Sequence, residues 1–161
     1  MKPQLSATLL ASGCLAGILA FAGHSSAAET LVIEATQDIT WKSGGQESDG
    51  KKPLVVAAKK GDILEIRVPA GSHGFVTLDK KGTESPSKAV KFVQACGEDP
   101  KAKPDAVLRE IECNGTNSNF AKTFISPPPM KLEILDKFQD DVHFWCVIHT
   151  SDMWGTIQLK K

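Results

Sequence analysis

From residue 29 onward the chain alternates between short β-rich runs and turn-forming stretches. A first run covers residues 31–35, and a polar, glycine-rich stretch over 42–52 separates it from a second over 54–57. In the third, over 63–68, Leu64, Ile66 and Val68 fall on one face and Glu65 and Arg67 on the other, which is the alternation of a strand with one side in a core. His73 opens a fourth run over 73–78. The texture then changes between residues 80 and 126. Ser87 is placed to cap a short helix in which Ala89, Phe92, Val93 and Cys96 keep helical spacing, and Asp105 to cap another carrying Val107, Leu108 and Ile111. A loop over 99–104 separates them, so this stretch is expected to be a partly helical insertion. Sheet character returns after the prolines at 127–129, with an alternating run over 130–135 and further strands over 142–147 and 155–159. Seven or eight strands and one insertion predict an all-β, Greek-key β-sandwich.

Residues 1–28 stand apart. Lys2 precedes an apolar run over 5–23 made mostly of Ala, Leu, Gly and Ser, and small residues follow over 25–28. This is the pattern of a secretory signal peptide cleaved near Ala28, and Ser6, Thr8 and Ser12 inside the run argue against a transmembrane anchor. Lipid attachment at Cys14 is the alternative, because residues 11–14 faintly resemble a lipobox. Cleavage leaves one domain, residues 29–161, expected in the periplasm or outside the cell with no membrane span. The 161-residue chain balances 19 basic against 19 acidic residues, and its Lys pairs are interleaved with acids, so there is no basic footprint for nucleic acid.

The cysteines change the picture more than the charge does. Of four, Cys14 leaves with the signal peptide, and the remaining three make an odd number for an oxidising compartment. Cys96 and Cys113 are expected to pair and staple the insertion, which in the chain-entropy view is worth about 3 kcal/mol. Cys146 is then left over, and a thiol that survives unpaired needs a reason.

Its neighbourhood supplies one. Cys146, His149 and Met153 follow the spacing Cys-x-x-His-x-x-x-Met between two predicted strands, so a returning loop can bring the three side chains to one point. A fourth donor must come from elsewhere, and His73 is the available imidazole. One thiolate, two imidazoles in a trigonal plane and a weak axial thioether form the blue-copper set, soft enough for Cu(I) and nitrogen-rich enough for Cu(II). Zinc prefers four strong donors and gains little from a thioether. Strand parity sets His143 aside: Val142, Phe144 and Cys146 share one face, so His143 and Trp145 point the other way, and His143 reads as a surface residue. Trp154 has two readings, a docking patch beside His149 or a core residue.

These residues carry a family resemblance. Phe144-Trp145-Cys146-Val147-Ile148-His149 resembles the Phe-Tyr-Cys-x-x-His strand and loop of plastocyanin-like cupredoxins. Met153-Trp154-Gly155-Thr156-Ile157-Gln158-Leu159-Lys160 is similar to the axial Met and last strand of azurins. Lys60-Gly61-Asp62, the alternating strand after it, and Ser72-His73-Gly74-Phe75 resemble the segment that supplies the first His. The resemblance spans most of 29–79 and 130–161 and leaves the insertion uncovered. It implies a mononuclear type 1 copper ion held by His73, Cys146, His149 and Met153, in an electron carrier that serves redox protein partners and is not an enzyme. Gly74 departs from the family, where an Asn usually follows the first His, so the family's reduction potential does not carry over. Trp145-Cys146-x-x-His149 is also similar to nitrosocyanin, a red copper protein, but that family has Glu where His73 stands and lacks the axial Met. A copper chaperone or storage protein and a red-copper enzyme remain the alternatives. No nucleophile elbow, phosphate loop or Cys-x-x-Cys pair is present.

Overall fold

The computed structural model describes residues 27–68, 73–78, 92–102, 104–112, 129–149 and 152–160. Most of the expected signal peptide, including Cys14, lies outside these residues, as do 79–91 and 113–128. Two sheets pack face to face. The larger runs in the order β3 (Gln46–Glu47), β2 (Trp41–Ser43), β1 (Thr30–Ala35), β5 (Ile63–Arg67), β9 (Met130–Ile134), β8 (Leu108–Glu110) and β7 (Val93–Gln94). The smaller runs β4 (Leu54–Ala58), β11 (Trp154–Leu159), β10 (Val142–Cys146) and β6 (Phe75–Leu78). The chain passes between sheets at β3–β4, β4–β5, β5–β6, β6–β7 and β9–β10, so neighbours in sequence often lie across the sandwich, as in a Greek-key fold.

Alternation explains the packing. Ile33, Leu64, Ile66, Leu132 and Ile134 project from the larger sheet into one core with Leu54, Val56, Phe144 and Ile157 from the smaller. On β5 the burial follows the pattern that the sequence predicts, with Leu64 and Ile66 fully buried and Arg67 exposed. Asp62, just before β5, is buried but not orphaned. Its carboxylate accepts the amides of Glu29 and Lys59, each at 2.9 Å, and so ties the start of β1 to the turn between β4 and β5.

Two segments differ from the sequence expectation. The glycine-rich stretch is not merely a spacer: Ser43 pairs with Gln46 across Gly44 and Gly45, both at positive φ (54° and 80°), making a two-residue hairpin between β2 and β3. The insertion is also less helical than its caps and spacing suggest. Leu108–Glu110 forms a strand against β9, and Val93–Gln94 pairs parallel to it, with a 3-10 turn at Pro100–Ala102 between them. Over so few residues, the 2- and 3.6-residue periods both place Leu108 inward, and an otherwise open edge of β9 decides in favour of the ladder. Arg109 pairs with Glu133 on β9 across that ladder. The described part of the insertion therefore widens the larger sheet. Cys96 follows β7, whereas its expected partner Cys113 lies outside the described residues; Cys146 is the free cysteine among those described.

Gly155 has no room for a side chain in the smaller sheet. A Cβ there would come within 2.3 Å of the Phe144 ring and 2.7 Å of the Leu54 carbonyl oxygen, its partners on the two flanking strands. Gly155→Ala should therefore cost about 1–3 kcal/mol, read as a lower urea midpoint with an unchanged slope. A midpoint equal to wild type would show that the strands separate freely at this position.

Candidate metal centre

The centre is built at one end of the smaller sheet. Cys146 ends β10 and lies directly opposite Phe75 at the start of β6, which places His73, two residues earlier, beside the sulfur. The Val147 amide donates to the Gly74 carbonyl at 3.2 Å and extends that pairing past the end of the strand. His149 and Met153 lie on the loop from β10 to β11. Here the amides of Asp152 and Met153 donate to the His149 carbonyl at 3.1 and 3.0 Å, and the Cys146 amide donates to the Met153 carbonyl at 2.8 Å. The loop is thus closed by main-chain bonds at both ends of the Cys-x-x-His-x-x-x-Met spacing.

The side chains converge accordingly. Cys146 Sγ lies 3.7 Å from Nδ1 of His73 and 3.5 Å from Nδ1 of His149, and one donor atom from each of the three residues falls within 4.8 Å of the others. Cys146 is fully buried, His73 is 4% exposed and His149 is half-buried. Both imidazoles present Nδ1, the ring nitrogen nearer the backbone, to the same sulfur. A transition metal at about 2.0–2.1 Å from nitrogen and about 2.3 Å from sulfur separates those atoms by about 3.6–3.8 Å in tetrahedral to trigonal geometry. The observed separations suit such an ion without rearrangement of the backbone. Met153 is fully buried in the main core, with its main chain bonded to both Cys146 and His149. The structure therefore brings His73, Cys146 and His149 together and holds Met153 on the same closed loop.

Residues outside the centre are equally well placed. His143 is on β10 opposite Thr156, and its Nδ1 lies 2.9 Å from the Thr156 hydroxyl, away from the donor cluster as parity predicts. It is half-buried rather than fully at the surface. Trp145 and Trp154 are opposite each other on β10 and β11, where they pack with Val76 and Val147 in a second, smaller apolar cluster. Trp154 is thus a half-buried member of that cluster. Trp41 has no distinguishing motif in the sequence, yet it is fully buried and its indole Nε1 donates to the Met153 carbonyl at 3.1 Å. Only the assembled sandwich reveals this contact.

No protein-family model matches the chain, and no curated protein matches its sequence. Solved structures do match it. Plastocyanin from Dryopteris crassirhizoma is 16% identical over 80% of this chain and 99% of that one, with a TM-score of 0.41. A pseudoazurin from Sinorhizobium meliloti is 11% identical over 83% of this chain and 75% of that one, with a TM-score of 0.39. Rusticyanin from Thiobacillus ferrooxidans is 13% identical over 84% of this chain and 79% of that one, with a TM-score of 0.42. What the centre binds is decided by its own donor atoms. Among the described residues, no helix is long and apolar enough to cross a membrane.

Burial, with a smaller contribution from His149, holds the His73 pKa below its ordinary value of 6.5. The unfolded chain takes up a proton there near pH 6.5, while the folded chain resists it until the pH is lower. The stability that this residue contributes to the metal-free protein is complete above that pH and is lost as the pH falls toward the folded value. Urea midpoints of metal-free wild type should drop between about pH 7.5 and about pH 5.5 by more than those of His73→Leu. Parallel profiles for the two proteins would show that His73 protonates as freely in the fold as outside it.

Proposed function

We propose that residues 29–161 form a type 1 copper protein that carries single electrons between redox protein partners in the periplasm or outside the cell, after loss of a signal peptide ending near Ala28. The observation that carries this reading is the buried Cys146 thiol facing Nδ1 of both His73 and His149 at 3.7 and 3.5 Å. In this reading His73, Cys146 and His149 would hold the ion, and Met153 would supply a weak thioether donor. Bound copper supplies reversible one-electron exchange between Cu(II) and Cu(I).

The chain's own residues do the rest. Three donors on main-chain-anchored segments hold one geometry for both oxidation states, and burial of Cys146 and His73 keeps water away. Four protein donors leave no position for a substrate, which favours a carrier over an enzyme. His149 is the more accessible of the two imidazoles, and Ile148 beside it is 46% exposed, so the loop presents an apolar edge through which a partner can approach. With charges nearly balanced, no strong net field steers that approach. The Cys96–Cys113 staple belongs to the same proposal, supported by the fact that Cys96 does not stand as a free thiol. Pairing these two would leave Cys146 available to the metal.

Copper-loaded, oxidised protein should show an intense thiolate-to-Cu(II) visible band that Cys146→Ser abolishes; a band that survives this change rejects the assignment. Met153→Gln should keep the colour and shift the reduction potential. If spectrum and potential both stayed at the wild-type values, Met153 would not be a ligand.

A further inference from the structure

Trp41 lies 112 positions from Met153 in sequence and on the opposite sheet, yet it reaches the ligand loop. The Met153 carbonyl oxygen accepts two N–H groups, the Cys146 amide at 2.8 Å and the Trp41 indole Nε1 at 3.1 Å. One donor comes from each sheet. The indole is itself held firmly. The Trp41 amide donates to the Ser48 hydroxyl and the Ser48 amide to the Trp41 carbonyl, both at 2.8 Å, and both residues are buried. The ring meets Phe75 edge-on at 6.0 Å and Phe144 at 6.1 Å, and those two stack on each other at 5.0 Å. Phe75 follows His73 by two residues and Phe144 precedes Cys146 by two, so the same ring braces the strands that carry two of the donors.

We propose that Trp41 is a positioning residue for the metal centre: its indole N–H fixes the Met153 peptide and thereby sets where the Met153 thioether would stand relative to His73, Cys146 and His149. The proposal rests on the copper reading above. An axial thioether is a weak, long ligand and does not hold its own place, so the peptide that bears it must be held by the protein. Met153 cannot turn its carbonyl without leaving a buried indole N–H unpaired, a state that folded proteins avoid. The hairpin β2–β3 is therefore part of the metal centre's support, although it contributes no ligand.

Trp41→Phe keeps an aromatic ring and removes the donor. In copper-loaded protein it should retain the thiolate band but shift its position and the reduction potential, and weaken copper affinity about tenfold. Ile134→Val, a core truncation three strands away in the same sheet, should lower stability without moving band or potential. If Trp41→Phe leaves both where wild type has them, or if Ile134→Val moves them equally, Trp41 is only a packing residue. A second measurement needs neither metal nor variant. In the isotope-labelled, metal-free protein, the Trp41 indole N–H should exchange slowly with solvent and show through-hydrogen-bond coupling to the Met153 carbonyl carbon. Rapid exchange in the folded protein overturns the proposal. Absence of a thiolate band in copper-loaded wild type would instead overturn the copper reading, while the metal-free measurement would still decide whether the Trp41 contact exists.

Discussion

Cys146 is the last residue of β10, and the ladders on both sides of that strand govern what can stand next to its sulfur. Antiparallel pairing with β6 puts Phe75 opposite Cys146 and so delivers His73, while pairing with β11 puts Trp154 opposite Trp145 and so delivers Met153 on the returning loop. A slip of one residue in either ladder would turn Cys146 to the outer face, where Trp145 now packs with Val76 and Trp154. The register is protected on the inner side by Phe144, which lies over Gly155 with no room for a Cβ between them. Donor geometry and core packing are thus one constraint.

That constraint accounts for the polarity of the centre. A thiol and an imidazole buried at the end of an apolar core cost desolvation, which the contacts of Cys146 Sγ with Nδ1 of His73 and of His149 offset only in part. An ion held by Cys146, His73 and His149 would offset this cost, because binding to the folded state alone draws the equilibrium toward it. The aromatic group of Trp41, Phe75 and Phe144 beneath the donors supplies the rigid floor. Its packing joins the two sheets directly under the ligand loop, so any repacking there reaches the donors as well as the core.

Away from the centre the fold shows how open edges and buried charges are managed. The insertion covers the edge of β9 with β8 and then β7, and its short edge strand offers little for another chain to pair with. The Asp62 carboxylate, bonded to two main-chain amides, joins β1, β4 and β5 where their ends meet.

Much was legible in the chain itself. β-rich runs between turn signals located β1, β4, β5, β9, β10 and β11 to within a residue or so, and on β5 and β9 the period-2 alternation also named the buried face. The spacing Cys-x-x-His-x-x-x-Met named the donors on one loop, and parity correctly turned His143 away, since both are local properties of strand geometry. What local pattern could not decide was anything that depends on a distant partner. Leu108 fits either a helix or a strand over so short a run, and the free edge of β9 chose between them. The β2–β3 hairpin lacked an apolar alternation to announce it, because its exposed face is polar and its one large anchor is Trp41. The separation of His73 from Cys146 came only with the β6–β10 register, and the bond from Trp41 to Met153 only with the packing of one sheet on the other. The sequence by itself determined which atoms are available as donors; tertiary structure decided their distances, because those are set by ladders and cross-sheet contacts between segments far apart in the chain.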